Sequence, residues 1–158
     1  MSLAYVALGA NLGDPASTIR AAFGALANLP ASRIVRCSSL YRTAPVGLTD
    51  QPDFINAVAL LDTTLGPVQL LAELLAIECR FGRRRAERNG PRSLDLDLLL
   101  YDERRFDQPE LTLPHPRLHL RAFVLRPLAE IAPDLRLPGR GQLAAWLPAV
   151  ANQRIVRL

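Results

Sequence analysis

The sequence predicts an α/β (α+β) fold with a ferredoxin-like β-α-β-β-α-β core and a Pro-rich C-terminal extension. Four apolar segments of strand length and two segments with helical periodicity follow one another in the order of the split βαβ pattern. The chain has 158 residues, of which 49% are hydrophobic and 22% charged, as in one globular domain. We therefore expect residues 1–158 to form a single domain.

The first strand and the first helix follow from local signals near the N-terminus. Residues 3–9 are apolar and end in glycine, which favours a short strand. Asp14 and Pro15 are typical of a helix N-cap and its first position. Four apolar residues then recur at helical spacing: Ile19, Ala22, Phe23 and Leu26. Pro30 ends this helix.

The next three elements are predicted on the same grounds. Residues 33–41 are rich in β-branched and small residues and are predicted to form the second strand. A loop containing prolines and a glycine over residues 43–52 leads into the third strand at residues 54–61. Gly66 and Pro67 begin the second helix. Its apolar residues lie about one turn apart: Leu70, Leu74, Ile77 and Phe81.

The fourth strand spans residues 94–101, and both helices are predicted to cover one face of the sheet. The other face is then left for loops or a ligand. The tail at residues 102–158 holds seven prolines and should wrap around this core.

Composition excludes several classes of protein. No stretch approaches 18 consecutive apolar residues, so no membrane partner is expected. The N-terminus lacks the pattern of a signal peptide, and the two cysteines show no metal-ligand spacing. We expect a cytoplasmic protein.

The positive charge is local. All 19 basic residues are arginine, which excludes the lysine-containing phosphate loop and any Schiff-base lysine. Residues 80–92 carry a net charge of +5, whereas the rest of the chain carries −1. Since arginine suits bidentate recognition of phosphate or carboxylate, this segment is predicted to meet an anionic ligand.

Asp95 and Asp97 alternate with leucines in the fourth strand. Alternation places both carboxylates on the face away from the helices, about 7 Å apart. This spacing suits two hard cations bridged by phosphate oxygens, because Mg²⁺ takes one or two carboxylates and completes its shell with water and substrate. Two plainer interpretations stay open: a half-exposed strand with an acidic face, or neutralisation of the nearby arginines.

Phe54 and Asn56 share the same open face on the third strand. A flat aromatic ring beside an amide suits a flat heterocycle with an amide-like edge, although a surface phenylalanine and a strand-end asparagine would look the same. His115 lies between two prolines. A lone histidine is more often a structural hydrogen-bonding group than a catalyst.

Several segments together resemble the 6-hydroxymethyl-7,8-dihydropterin pyrophosphokinase family of folate biosynthesis. The most specific is RNGPRSLDLDLL at residues 88–99. The others are GANLG at 9–13, SLYRT at 39–43, DQPDFINA at 50–57, LPHPR at 113–117, FVL at 123–125 and EIAP at 130–133. They occur in the family's order and cover nearly the whole chain.

The resemblance implies a single catalytic domain that uses ATP and two Mg²⁺ ions to pyrophosphorylate the hydroxymethyl dihydropterin, releasing AMP. It implies Asp95 and Asp97 as metal ligands and catalytic residues, with Arg83 and Arg92 as catalytic phosphate contacts. It implies that the ATP site is lined by Glu78, Arg85, Leu98, Thr112, His115 and Arg121. The pterin site would comprise Thr43, Pro45, Val46, Phe54, Asn56 and Phe123, with the ring stacked between the two phenylalanines.

Two other functions could use parts of the same pattern. A two-metal nucleotidyl transferase or cyclase could use the aspartate pair, but it would release pyrophosphate. An RNA-recognition module shares the order of elements, yet its K/R-G-F/Y-G/A-F-V-x-F/Y motif is absent, and acids on the open face would repel RNA. We expect no nucleic-acid partner, and a monomer that acts on small molecules.

Overall fold

The structure is a computed structural model that describes residues 1–45, 50–82 and 93–158. Its helices and strands, in chain order, are β1 (Ser2–Ala10), α1 (Pro15–Ala27), β2 (Ser32–Cys37), β3 (Tyr41–Thr43), β4 (Phe54–Thr63), α2 (Pro67–Arg80), β5 (Asp95–Tyr101), β6 (Phe106–Gln108), β7 (Leu111–Leu113), α3 (Ala122–Ile131), β8 (Arg136–Leu137), β9 (Gly141–Gln142) and β10 (Ile155–Arg157). Short 3-10 helices occur at Leu118–Leu120, Leu143–Trp146 and Pro148–Val150.

The main sheet is antiparallel and has the strand order β10-β3-β4-β1-β5, with β2 also paired to β4. Strand β4 therefore lies between β1 and the strands that follow α1. This is the split arrangement of the ferredoxin-like fold, and it confirms the predicted α/β core.

The structure corrects the predicted second strand at residues 33–41, which is divided into β2 and β3. Ser38 interrupts the ladder: its hydroxyl oxygen accepts the Val58 N–H at 2.9 Å, while its own N–H donates to the Val58 carbonyl at 2.8 Å. A side-chain oxygen thus replaces a backbone carbonyl. The pairing register with β4 shifts by one residue across this break.

The first face of the sheet carries α1 and α2, as predicted. Their buried residues include Ile19, Leu26, Leu70 and Leu74, and they pack with the strand leucines Leu94, Leu96 and Leu98 in one apolar cluster. We call this cluster the first-face core. Since the leucines of β5 face this core, the aspartates that alternate with them face the opposite side of the sheet.

The second face is partly covered by α3, an element that the sequence analysis did not predict. Its apolar residues Val124, Leu125, Leu128 and Ile131 pack on Tyr5, Ala7, Val58 and Leu60 of the sheet; we call this cluster the second-face core. The 3-10 helices and β8 complete it. Because α3 covers only part of this face, the helix lies beside the ends of β1, β4 and β5 near Gly9.

Among the residues that the structure describes, no helix is both long enough and apolar enough to cross a membrane.

Candidate active site

Gly9 lies at the centre of the site, because it pairs with a polar residue on each of the two strands that flank β1. It pairs with Asn56 of β4 and with Asp95 of β5, and Ala7 pairs with Asp97. Directly opposed residues of antiparallel strands share a face. Asn56, Asp95 and Asp97 therefore lie together on the second face, on either side of β1, which agrees with the predicted alternation.

Glu78 anchors the strand that carries both aspartates. It lies in the last turn of α2, is only 2% exposed, and accepts the Leu96 N–H at 2.7 Å. Leu96 stands between Asp95 and Asp97 on β5, which is an edge strand of the main sheet. The carboxylate thus satisfies a backbone donor at the sheet edge and fixes the local position of the aspartate pair.

Asn56 is held in place from two sides. Its side chain is buried, and its Nδ2 donates to Thr43 Oγ1 at 2.6 Å. A methyl group added at Gly9 would lie 3.0 Å from Asn56 Oδ1, a tight contact that would oblige the asparagine or the strand to shift by a few tenths of an ångström. Thr43 pairs with Phe54, which places that aromatic ring on the same face, half-buried.

Asn11 is a buried residue of this region that the sequence analysis did not single out. Its Nδ2 donates to Gln51 Oε1 at 2.8 Å and to the Pro52 carbonyl at 3.0 Å. It thereby ties the loop after β1 to the segment that leads into Phe54. Its place in the motif GANLG was the available signal, but its partners lie about forty residues away.

Phe123 belongs to α3, on the second face of the sheet. It lies in the first turn, half-buried against the second-face core, with the Arg121 guanidinium carbon 5.3 Å from its ring centroid. Pro45, two residues after the end of β3, is also half-buried.

His115 is a half-buried neutral imidazole beside the acidic strand. Its backbone N–H donates to the Leu99 carbonyl at 2.8 Å, and its Nδ1 accepts the Arg117 N–H at 3.2 Å. Burial, followed by the charges of Arg121 and Arg117, lowers its pKa to about 4, against an opposing effect of Asp95. At neutral pH the proton is therefore on Nε2, where it is available to donate.

The remaining implied ATP residues differ in position. Thr112 is exposed on β7. Leu98 is buried in the first-face core, so its side chain lies on the opposite side of the sheet from the carboxylates and only its backbone can meet a ligand. Arg83, Arg85, Arg92 and Val46 lie outside the described residues.

The donor set of the described residues suits Mg²⁺ that is shared with a phosphate ligand. Within residues 1–45, 50–82 and 93–158, no group of three or more His, Cys, Asp or Glu side chains could hold a metal on its own. Two carboxylates on one face fit an ion that takes its other ligands from water and phosphate oxygens.

Comparisons with known proteins identify the family of this chain. The family model for 7,8-dihydro-6-hydroxymethylpterin-pyrophosphokinase matches residues 5–133. The 2-amino-4-hydroxy-6-hydroxymethyldihydropteridine pyrophosphokinase of Pseudomonas aeruginosa is 51% identical over 154 residues, which cover 98% of this chain and 95% of that protein. The Haemophilus influenzae enzyme of the same name is 43% identical over 158 residues, covering 100% and 99%.

Solved structures share the fold at lower identity. A crystal structure of HPPK-DHPS in complex with substrates aligns with a TM-score of 0.73 at 13% identity, covering 94% of this chain and 43% of that one. The wild-type HPPK-DHPS of Plasmodium falciparum aligns with a TM-score of 0.72 at 14% identity, covering 100% and 49%. On the family match and the two close relatives, this chain belongs to the 7,8-dihydro-6-hydroxymethylpterin-pyrophosphokinase family.

Proposed function

We propose that this chain transfers a pyrophosphoryl group from ATP to the hydroxymethyl oxygen of 6-hydroxymethyl-7,8-dihydropterin and releases AMP, a step of folate biosynthesis. Family membership supports the reaction class. The single structural observation that carries the proposal is the alignment of Gly9 with both Asn56 and Asp95, which sets a polar pocket and an acidic pair on the two strands that flank β1. The protein would act as a cytoplasmic monomer, with residues 1–158 as one catalytic domain.

Asp95 and Asp97 would hold two Mg²⁺ ions together with the phosphates of ATP. Bound Mg²⁺ would neutralise the negative charge on the transferring phosphates. Glu78 supports this role indirectly, because it fixes the backbone between the two aspartates. Arg83, Arg85 and Arg92 are proposed to add positive charge around the phosphates.

His115 and Arg121 would bind ATP from the α3 side of the site. The neutral imidazole offers Nε2–H as a hydrogen-bond donor, since Nδ1 already accepts the Arg117 N–H. Arg121 would supply a permanent charge at the N-terminus of α3. Thr112 and the backbone of Leu98 would complete the nucleotide contacts.

The pterin would lie flat between Phe54 and Phe123, with its amide-like edge toward Asn56 and Thr43. The bond between these two polar side chains orients them before the substrate arrives. Pro45 and Val46 are proposed as further contacts of the pterin. Stacking on two aromatic rings would supply much of the affinity.

In the reaction, the hydroxymethyl oxygen attacks the β-phosphorus of ATP, the bond from that phosphorus to the oxygen of AMP breaks, and the hydroxyl proton leaves to solvent. The described residues contribute mainly by alignment and by charge, which is what phosphoryl transfer requires.

The decisive experiment is incubation with ATP, Mg²⁺ and the hydroxymethyl dihydropterin, followed by nucleotide chromatography. AMP formed in equal amount to the pterin diphosphate supports the proposal. Release of pyrophosphate would instead indicate nucleotidyl transfer, and ADP would indicate transfer of a single phosphoryl group.

A further inference from the structure

Glu130, in the last turn of α3, binds the helix to strand β3. Its carboxylate accepts the Ser39 N–H at 2.9 Å, the Ser39 hydroxyl at 2.9 Å and the Tyr41 hydroxyl at 2.7 Å. Arg157 of β10 adds an ion pair at 3.2 Å and also donates from Nε to Ser39 Oγ at 3.1 Å. Burial raises the pKa of Glu130, but these hydrogen bonds and the Arg157 charge outweigh it and hold the pKa below its ordinary value.

The other end of α3 is held by the segment that leads into β10. Gln153 Oε1 accepts the N–H of Ala122, the first residue of the helix, at 2.9 Å, and Gln153 Nε2 donates to the Leu120 carbonyl at 2.9 Å. The neighbouring Arg154 pairs with Asp53, the residue before Phe54, at 3.4 Å.

Between these two attachments, β10 pairs with β3 itself. Ile155 lies opposite Thr43, and Arg157 lies opposite Tyr41. Residues 153–157, which we call the C-terminal clasp, therefore bond to the strand that carries Thr43 and to both ends of the helix that carries Phe123. The clasp lies beyond residues 5–133, the part matched by the family model.

The apolar residues of α3 would hold it on the sheet without these contacts, because five of them are buried in the second-face core. A carboxylate in such a contact loses hydration, and its hydrogen bonds must offset that cost. Directional bonds differ from apolar packing in that they fix one position along and across the sheet. Because these bonds hold both ends of α3, they fix where Phe123, in its first turn, lies relative to β3, whose Thr43 is opposite Phe54.

We propose that Glu130 and the C-terminal clasp are positioning residues for the pterin: they set the separation of the two walls between which the pterin binds. The inference rests on the proposed function, since it takes Phe54 and Phe123 as the walls. It goes beyond that function by assigning substrate selectivity to residues that touch neither substrate.

Two tyrosine variants test the role with a matched control. Tyr41→Phe removes the hydroxyl bonded to Glu130 on the second face. Tyr101→Phe removes the hydroxyl bonded to the Leu65 carbonyl on the first face. Both tyrosines are 4% exposed, so the two changes are similar in burial and in chemistry. Glu130→Gln and Gln153→Ala probe the two ends of α3 separately.

For each variant, thermal unfolding, pterin affinity by fluorescence titration, and the KM values for pterin and ATP are measured well below the melting temperature. We expect Tyr41→Phe and Glu130→Gln to raise the Kd and KM for pterin roughly tenfold, with KM for ATP changed less than about twofold, because small misplacements of binding groups are costly. Gln153→Ala keeps the test available if Glu130→Gln does not fold. Tyr101→Phe should lower the melting temperature and leave the ratio of the two KM values unchanged.

If the ratio of the KM for pterin to the KM for ATP is the same in Tyr41→Phe and Tyr101→Phe, the inference is wrong and the clasp contributes only to stability. If the wild-type protein forms AMP but the ratio of the KM for pterin to the KM for ATP is the same in all variants, the proposed function stands and only this inference fails. A wild-type protein that neither binds the pterin nor forms AMP would overturn both.

Discussion

Replacement of Gly9 by alanine tests the close approach at the centre of the site. The added methyl group would lie 3.0 Å from Asn56 Oδ1, shorter than an ordinary carbon–oxygen contact. Asn56 cannot swing away freely, because it is buried and its Nδ2 is bonded to Thr43 at 2.6 Å. Either the asparagine or strand β1 must move by a few tenths of an ångström.

Two opposing effects set the magnitude. Overpacking in a well-packed interior costs about 1–3 kcal/mol. Alanine regains about 0.5–1 kcal/mol, because it has less backbone entropy to lose than glycine. The net expectation is a loss of about 1 kcal/mol in the free energy of unfolding, within a range of about 0–2.5 kcal/mol, and for a domain of this size 1 kcal/mol lowers the melting temperature by about 2–4 °C.

The same displacement should weaken the pterin more than ATP. A disturbed hydrogen bond is worth about 1 kcal/mol, so KM for the pterin should rise about fivefold while KM for ATP stays near the wild-type value. Gly24→Ala is the control: this exposed glycine of α1 has nothing within 4 Å of an added methyl group, and the change should stabilise the protein by about 0.5–1 kcal/mol. A Gly9→Ala protein as stable as wild type, with an unchanged KM for the pterin, would refute the reasoning.

Three further outcomes follow from the same site. Asp97→Asn should reduce the initial rate by orders of magnitude at saturating Mg²⁺, whereas Asp62→Asn, which removes only the surface pair with Arg33, should not; near-normal turnover in the first would contradict the metal site. Phe123→Ala should weaken pterin binding by about 1–3 kcal/mol in calorimetry and change ATP binding much less; equal losses would remove the stacked pocket. In the folded protein the pKa of His115 is lowered from 6.5 to about 4, so its imidazole stays neutral at pH values where the unfolded chain would protonate it. Unfolding should therefore become easier, by at most about 3 kcal/mol, as the pH falls from 6.5 to about 4, and His115→Gln should reduce this pH dependence relative to wild type.

The core of the fold could be predicted because the apolar residues of each helix and strand recur at the spacing typical of that kind of element. The apolar residues of α1 and α2 recur at helical spacing, and β5 alternates Asp and Leu. Three features lay beyond such signals. Ser38 breaks the second strand by offering its side chain in place of a carbonyl. The helix α3 contains Pro127, a residue that normally argues against a helix interior. The three residues of β10 pair with a strand more than a hundred positions earlier.

For the candidate site, alternation alone placed Asp95, Asp97 and Asn56 on one face. Their nearness to one another could not be derived, because it depends on the register of β1 with two strands at once. The buried bond from Glu78 to the Leu96 N–H was equally hidden, since the partners lie on a helix and a strand separated by the arginine segment. The position of Leu98 behind the sheet followed directly from the same alternation that exposed the aspartates.

The sheet itself accounts for how two substrates of the proposed reaction could meet. Asn56 and Asp95 both flank Gly9, so their strands are separated by β1 alone, and two strand spacings amount to about 10 Å. A pterin bound at Asn56 and phosphates bound at Asp95 would therefore face each other across a single strand. At that level β1 has Gly9, which carries no side chain, so no side chain of β1 would separate the hydroxymethyl group from the β-phosphorus in the proposed reaction. We therefore expect a side chain at Gly9 to obstruct the proposed transfer as well as to displace Asn56.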